Sequence, residues 1–284
     1  MVIPGFHSAG LLLHDVPTAI DSLAEIGYRA VVVRTHRNLL SEAGADLVDA
    51  IGEARRRTRV ELIWDSEGYY LSDPWVFEPP GLGEALESSA VALSAREQLI
   101  CRSLDLAKRT GSRLVTFGVG PELVGVDPQT GLERLSASLQ RLTDYADAAG
   151  LALALRPSGR SSIATIGQFE RLLQWLPASA KLFLAGDIAA MLRQGEVPTI
   201  DFLARHLDRL RCVFAADIQT GVRDIRSGLW ADLPVGRGDI DLRRIVAGLE
   251  EMPYSGPLVI RVDGFAAEGL AIAKEAFAAV FGEA

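Results

Sequence analysis

The chain has 284 residues, 49% of them hydrophobic and 23% charged, a balance that fills a large core and excludes a mainly disordered polypeptide. Its 29 Lys and Arg against 37 Asp and Glu give a formal charge of −8, which argues against nucleic acid as a general partner. No run of ~18 apolar residues and no basic-then-apolar leader is present, so the expectation is an unanchored cytoplasmic protein with no membrane partner.

Short β-branched runs alternate with longer stretches of helical period along the whole chain. Strands are expected at Val2–Phe6, Ala30–Arg34, Val60–Trp64, Arg113–Phe117, Leu151–Arg156, Lys181–Ala185, Leu210–Ala216 and Pro257–Val262. Helices fall between them, near 16–27, 43–57, 92–110, 130–149, 165–176, 199–207, 240–251 and 267–281. The strands are almost continuously apolar, as in VVV at 31–33 and LALAL at 151–155, which suits parallel strands covered by helices.

Helix boundaries carry their own signals. Asp15 precedes VPTAIDSL with Pro17 in the first turn, Thr199 is a candidate cap, and Gly27, Gly111 and Gly150 stand where helices should stop. Eight βα units in about 250 residues define an α/β fold, a single-domain (β/α)8 TIM barrel spanning residues 1–284. Cys101 and Cys212 sit in apolar stretches and read as core thiols.

Two connections exceed what a barrel needs. Residues 65–91 carry Tyr69, Tyr70, Trp75 and Phe77, and residues 217–239 carry Trp230 and a GRGD segment. Both follow strands and so belong to the face where barrel enzymes work, as lids or as packing at the rim.

Three stretches carry a family resemblance: AIDSLAEIGYRAVVVR at 19–34, REQLICRSLDLAKRTGSRLVTFGVG at 96–120, and LPVGRGDIDLRRIVAGLEEMPYSGPLVIRVDG at 233–264. The chain resembles the xylose isomerase-like barrel superfamily of sugar isomerases, epimerases and apurinic endonucleases. That resemblance implies a divalent metal held by Glu, Asp, His and Glu at the ends of strands 5 to 8. Here LALRPSG puts Arg156 at the first position, LFLAGDIAAMLRQGEVP puts Asp187 at the second, VFAAD puts Phe214 at the third while keeping Asp217, and PLVIRVD puts Arg261 at the fourth. A guanidinium cannot ligate a metal, so the expected cofactor is none.

The candidate site follows from the strand ends. His7, His36, Asp65 and Asp187 are the candidates for proton transfer, with Glu67 close to Asp65, because imidazoles and carboxylates move protons near neutral pH. Arg34, Arg156, Arg237 and Arg261, with Asp217, Trp75 and Trp230, are the candidates for binding substrate, since an arginine fork grips carboxylate or phosphate. An ion-pair network of Arg156 and Arg261 with Asp187 and Asp217 is the structural alternative. His14 and His206 read as surface residues.

Three functions compete: an isomerase- or epimerase-like enzyme acting on a small anionic polyol or keto compound, a barrel that only binds a ligand or partner, and a metal enzyme with a changed set drawn from His7, His36, Asp65 and Asp187. A homodimer is a possible assembly for such barrels.

Overall fold

A computed structural model describes residues 1–11, 13–41, 44–67, 95–121, 126–159, 161–197, 203–223, 230–262 and 268–282. Eight parallel strands close into a barrel: β1 (Ile3–His7), β2 (Ala30–Arg34), β3 (Glu61–Glu67), β4 (Leu114–Gly118), β5 (Ala152–Leu155), β6 (Leu182–Asp187), β7 (Leu210–Ala215) and β10 (Pro257–Ile260). Neighbours in sequence are neighbours in the wall, and β1 pairs with β10 to close the ring. The chain is therefore a single (β/α)8 barrel, as its alternating pattern requires.

Helices α1 (Val16–Ile26), α2 (Arg37–Leu40), α3 (Ala45–Thr58), α4 (Ala95–Thr110), α5 (Pro128–Ala148), α6 (Ile166–Trp175), α7 (Ile188–Arg193), α8 (Leu242–Glu251) and α9 (Gly269–Phe281) connect the strands. Local chemistry sets their ends. Asp15 caps α1 by accepting the Thr18 N–H, Thr165 and Gln168 form a reciprocal capping box on α6, and Gly27 turns out of α1 at φ 120°. The largest apolar cluster lies between wall and helices, with Phe6, Tyr28, Trp64, Phe117 and Phe169 fully buried. Cys101 and Cys212 are buried free thiols, and burial raises both above the usual thiol range. Among the described residues no helix is long and apolar enough to cross a membrane.

Sequence and structure part in three places. The helix expected near 199–207 starts outside the described residues, whereas a short helix the sequence did not suggest, α7, follows β6 directly because the Asp187 side chain accepts the Ala190 N–H. The connection at 217–239 is not plain loop: β8 (Asp217–Arg223) and β9 (Trp230–Leu233) pair antiparallel. His206 is buried, not a surface residue, with its Nε2 3.1 Å from a Glu170 carboxylate oxygen.

Asp217 anchors the glycine-rich turn after that hairpin. Its Oδ2 accepts the N–H groups of Gly236 and Gly238 at 2.9 Å each, and its Oδ1 accepts those of Ile218 at 3.0 Å and Ile240 at 3.1 Å. A side chain at position 238 would collide with the same carboxylate, which accounts for the glycine. Because Asp217 is fully buried, removing it orphans four backbone donors at once. Asp217→Ala should lower unfolding stability by about 2–4 kcal/mol in urea denaturation, and a loss within experimental error would show that water replaces the carboxylate.

Candidate functional site at the barrel mouth

Side chains alternate between the two faces of a strand, so the pairing register decides which residues enter the lumen. Val32, Ile63, Leu114, Ala154, Ala185, Cys212, Phe214 and Val259 form the apolar cluster inside the barrel. Two residues further along their strands the same face carries Arg34, Asp65, Thr116, Arg156, Asp187 and Arg261, with His7 supplied by β1. Register locks this layer: Arg34 stands opposite Asp65, Asp65 opposite Thr116, and Asp187 opposite Phe214. The Arg156 and Arg261 N–H groups continue the ladder onto Phe117 and Ala215.

Asp65 is the hub. Thr116 donates its hydroxyl to Oδ1 at 2.8 Å, while His7 Nε2 and Arg156 Nη2 each lie 3.3 Å from Oδ2. The carboxylate is fully buried. Burial alone would raise its pKa, but the Arg156 charge, the His7 contact and the Thr116 hydroxyl outweigh it and hold Asp65 well below the usual carboxylate range.

His7 is equally enclosed, 1% exposed. The Ala9 N–H donates to its Nδ1 at 3.1 Å, so the ring hydrogen resides on Nε2 and points at Asp65. Burial lowers the imidazole pKa, with Asp65 opposing and both lumen arginines assisting, so His7 is neutral at pH 7. With both nitrogens engaged, it orients Asp65 and offers no free lone pair.

Arg156 lies across Phe214, its guanidinium carbon 4.6 Å from the ring centre, and its buried Nη1 has no hydrogen-bond partner among the described residues. Across the lumen Arg261 Nη1 donates to Asp187 Oδ2 at 3.1 Å, while Asp187 Oδ1 caps α7. The site thus holds two facing arginine–carboxylate pairs, with a neutral imidazole beside one of them.

Of the residues singled out in the sequence, the structure brings together His7, Asp65, Arg156, Asp187 and Arg261, with half-buried Arg34 on the lumen side of β2. It does not bring in Asp217, whose oxygens are consumed by the glycine-rich turn, or Arg237, which is 61% exposed and paired with Glu275. His36 is exposed at the start of α2. Trp75 lies outside the described residues, as do Tyr69, Tyr70 and Phe77, and of Glu67 and Trp230 only the backbone placement is described. Thr116 and Phe214 are more central than the sequence suggested. Counting two residues forward from the interior apolar positions leads to both.

The metal set implied by the resemblance is not matched by the described residues. Arg156, Phe214 and Arg261 occupy three of the four expected positions, and among the described residues no group of three or more His, Cys, Asp or Glu side chains could hold a metal.

The family model described as xylose isomerase-like TIM barrel matches residues 20–280, and the chain belongs to that family. No curated protein matches it significantly. Among solved structures it is similar to 3-keto-D-glucoside 4-epimerase from E. coli, 15% identical over 98% of each chain at TM-score 0.72. It is also similar to the IOLI protein with a bound zinc atom, 16% identical over 100% of this chain and 99% of that one at TM-score 0.71. A third is D-psicose 3-epimerase with D-tagatose from Clostridium cellulolyticum H10, 14% identical over 98% of this chain and 96% of that one at TM-score 0.70. Sugar epimerases are thus among the neighbours of the fold.

The buried His7–Asp65 pair makes a pH prediction. A histidine whose folded pKa is depressed binds its proton more readily when unfolded, so it removes stability as pH falls below about 6.5. Asp65, whose pKa is depressed in the same direction, withdraws its own contribution only at more acidic pH, below about 4. His7→Gln should therefore flatten the stability profile between pH 7 and 5 by up to about 1.4 kcal/mol per pH unit. Urea denaturation at several pH values checks this, and parallel profiles would contradict a neutral His7.

Proposed function

We propose that this barrel is an isomerase- or epimerase-like enzyme acting on a small polyol or keto compound that carries a carboxylate or phosphate, without a catalytic divalent metal. The observation that carries the reading is the Arg156 guanidinium: it stands in the lumen with a buried N–H group lacking a partner among the described residues, next to a carboxylate it holds by a single 3.3 Å contact. A buried donor without an acceptor costs about 1–3 kcal/mol, and an incoming oxyanion would remove that cost. Family membership and the epimerase neighbours support the reaction class.

Arg156 and Arg261 would orient the anionic end of the ligand. Asp65 and Asp187, on β3 and β6, approach the lumen from different sides, as removal and return of a proton on two faces of a carbon require. In the empty site Arg156 keeps Asp65 too acidic to be an effective base. A ligand anion that engages Arg156 neutralises part of that charge, and burial then pushes the Asp65 carboxyl upward, so ligand binding itself makes the base. His7 and Thr116 fix the carboxylate in place while this happens.

The expected outcome is that phosphate or a sugar acid at 100-fold its dissociation constant stabilises the protein by about 2.7 kcal/mol. Arg156→Ala should abolish most of the accompanying rise in melting temperature for a sugar acid while leaving the circular-dichroism spectrum unchanged. A full shift in Arg156→Ala would remove the basis of the proposal.

A further inference from the structure

The opposite end of the barrel holds a second built cavity. It occupies about 430 Å³ at the amino ends of β3, β4, β5 and β10, lined by Arg55, Arg113, Arg211, Glu61, Ser112 and Ser255 among others. Ile63 and Leu114 line it too, and both belong to the apolar cluster inside the barrel. That apolar layer separates the cavity from the ionic layer at the mouth.

Its charge is unusual for this chain. Three guanidinium groups and one carboxylate give a local excess of two positive charges in a protein whose formal net charge is −8. Among the described residues no carboxylate lies within 4.0 Å of Arg55, Arg113 or Arg211, although the chain's other arginines readily form such pairs. Arg211 is also held in place: its guanidinium carbon sits 3.8 Å from the centre of the Phe183 ring, and its Nη1 donates to the Asp208 carbonyl at 3.0 Å. Burial depresses the Arg211 pKa, with the Asp208 charge opposing and the Arg209 charge assisting. Arg55 lies over Gly111, close enough that a side chain there would strike its Nη1.

We propose that this cavity is a binding site for a small organic phosphate, whose phosphoryl oxygens meet Arg55, Arg113 and Arg211 and whose hydroxyl groups meet Glu61 and Ser255. A phosphoryl group brings close to two negative charges and three acceptor oxygens, which match the excess charge and the three guanidinium groups better than a single carboxylate does. The volume falls within the range of about 300–1,000 Å³ usual for small-molecule sites. An occupant would tie α3 to the amino ends of β3, β4 and β7, bracing the end of the barrel remote from the mouth. The proposal does not rest on the function assigned to the mouth.

Calorimetric titration with inorganic phosphate and with glycerol 3-phosphate tests it in the full chain. Arg156→Ala/Arg261→Ala, altered only at the mouth, should retain one saturable equivalent. Adding Arg113→Gln/Arg211→Gln to that mouth variant should remove it, with affinity at least about tenfold weaker, equivalent to about 1.4 kcal/mol. Since Arg113 is exposed, Arg113→Gln alone folds without difficulty and should weaken binding several-fold. Glu61→Gln should weaken glycerol 3-phosphate while leaving inorganic phosphate unimpaired. Retention of the equivalent when Arg113→Gln/Arg211→Gln is added to the mouth variant, or its absence from the mouth variant itself, overturns the proposal, and neither result bears on the site at the mouth.

Discussion

The burial of a charged layer in the lumen is the constraint from which the rest of this structure follows. A closed parallel barrel leaves a narrow interior, and an ion placed there must find opposite charge or hydrogen bonds close by. Asp65 meets this demand with three partners on three different strands: Thr116 on β4, His7 on β1, and Arg156 just past the end of β5. Asp187 meets it with Arg261 and the first turn of α7. The two pairs hold opposite charges at fixed positions, with both carboxylates buried.

This arrangement keeps the buried layer satisfied by the chain's own side chains. A divalent ion in such a cavity would be held by oxygen and imidazole ligands, whose own charge and polarity need it. Here the cations are covalently part of the chain, so the carboxylates that face them are satisfied from within. The arrangement also leaves a residue of unmet demand at Arg156 Nη1.

Much of the fold was legible in the sequence because the alternation of buried strands and amphipathic helices is a local property. Ala30–Arg34 matches β2 residue for residue, and the other barrel strands are displaced by one or a few residues at their ends. The placement of Arg156 and Arg261 was legible as well, since a period of two from the apolar lumen residues fixes their face. What escaped were features made by tertiary contact. Nothing near Asp217 announced that its carboxylate would bind a turn some twenty residues onward, and the same residue type at Asp65 took a wholly different role. Arg237 stood among the ligand-binding candidates for its guanidinium fork, yet the turn directs it outward to Glu275. The cavity at the amino ends of the strands was invisible for the same reason, because Arg55, Arg113 and Arg211 are spread over 157 positions of sequence.

The dependence of Asp65 on Arg156 is the point at which geometry and chemistry meet, and carbon-13 NMR of the aspartate carboxyl groups, assigned with Asp65→Asn, reads it directly. The account requires the Asp65 pKa to rise from its depressed value when the mouth is saturated with an anionic sugar derivative, and to be raised already in Arg156→Ala without ligand. An Asp65 titration that ignores both the ligand and the loss of the guanidinium would contradict it.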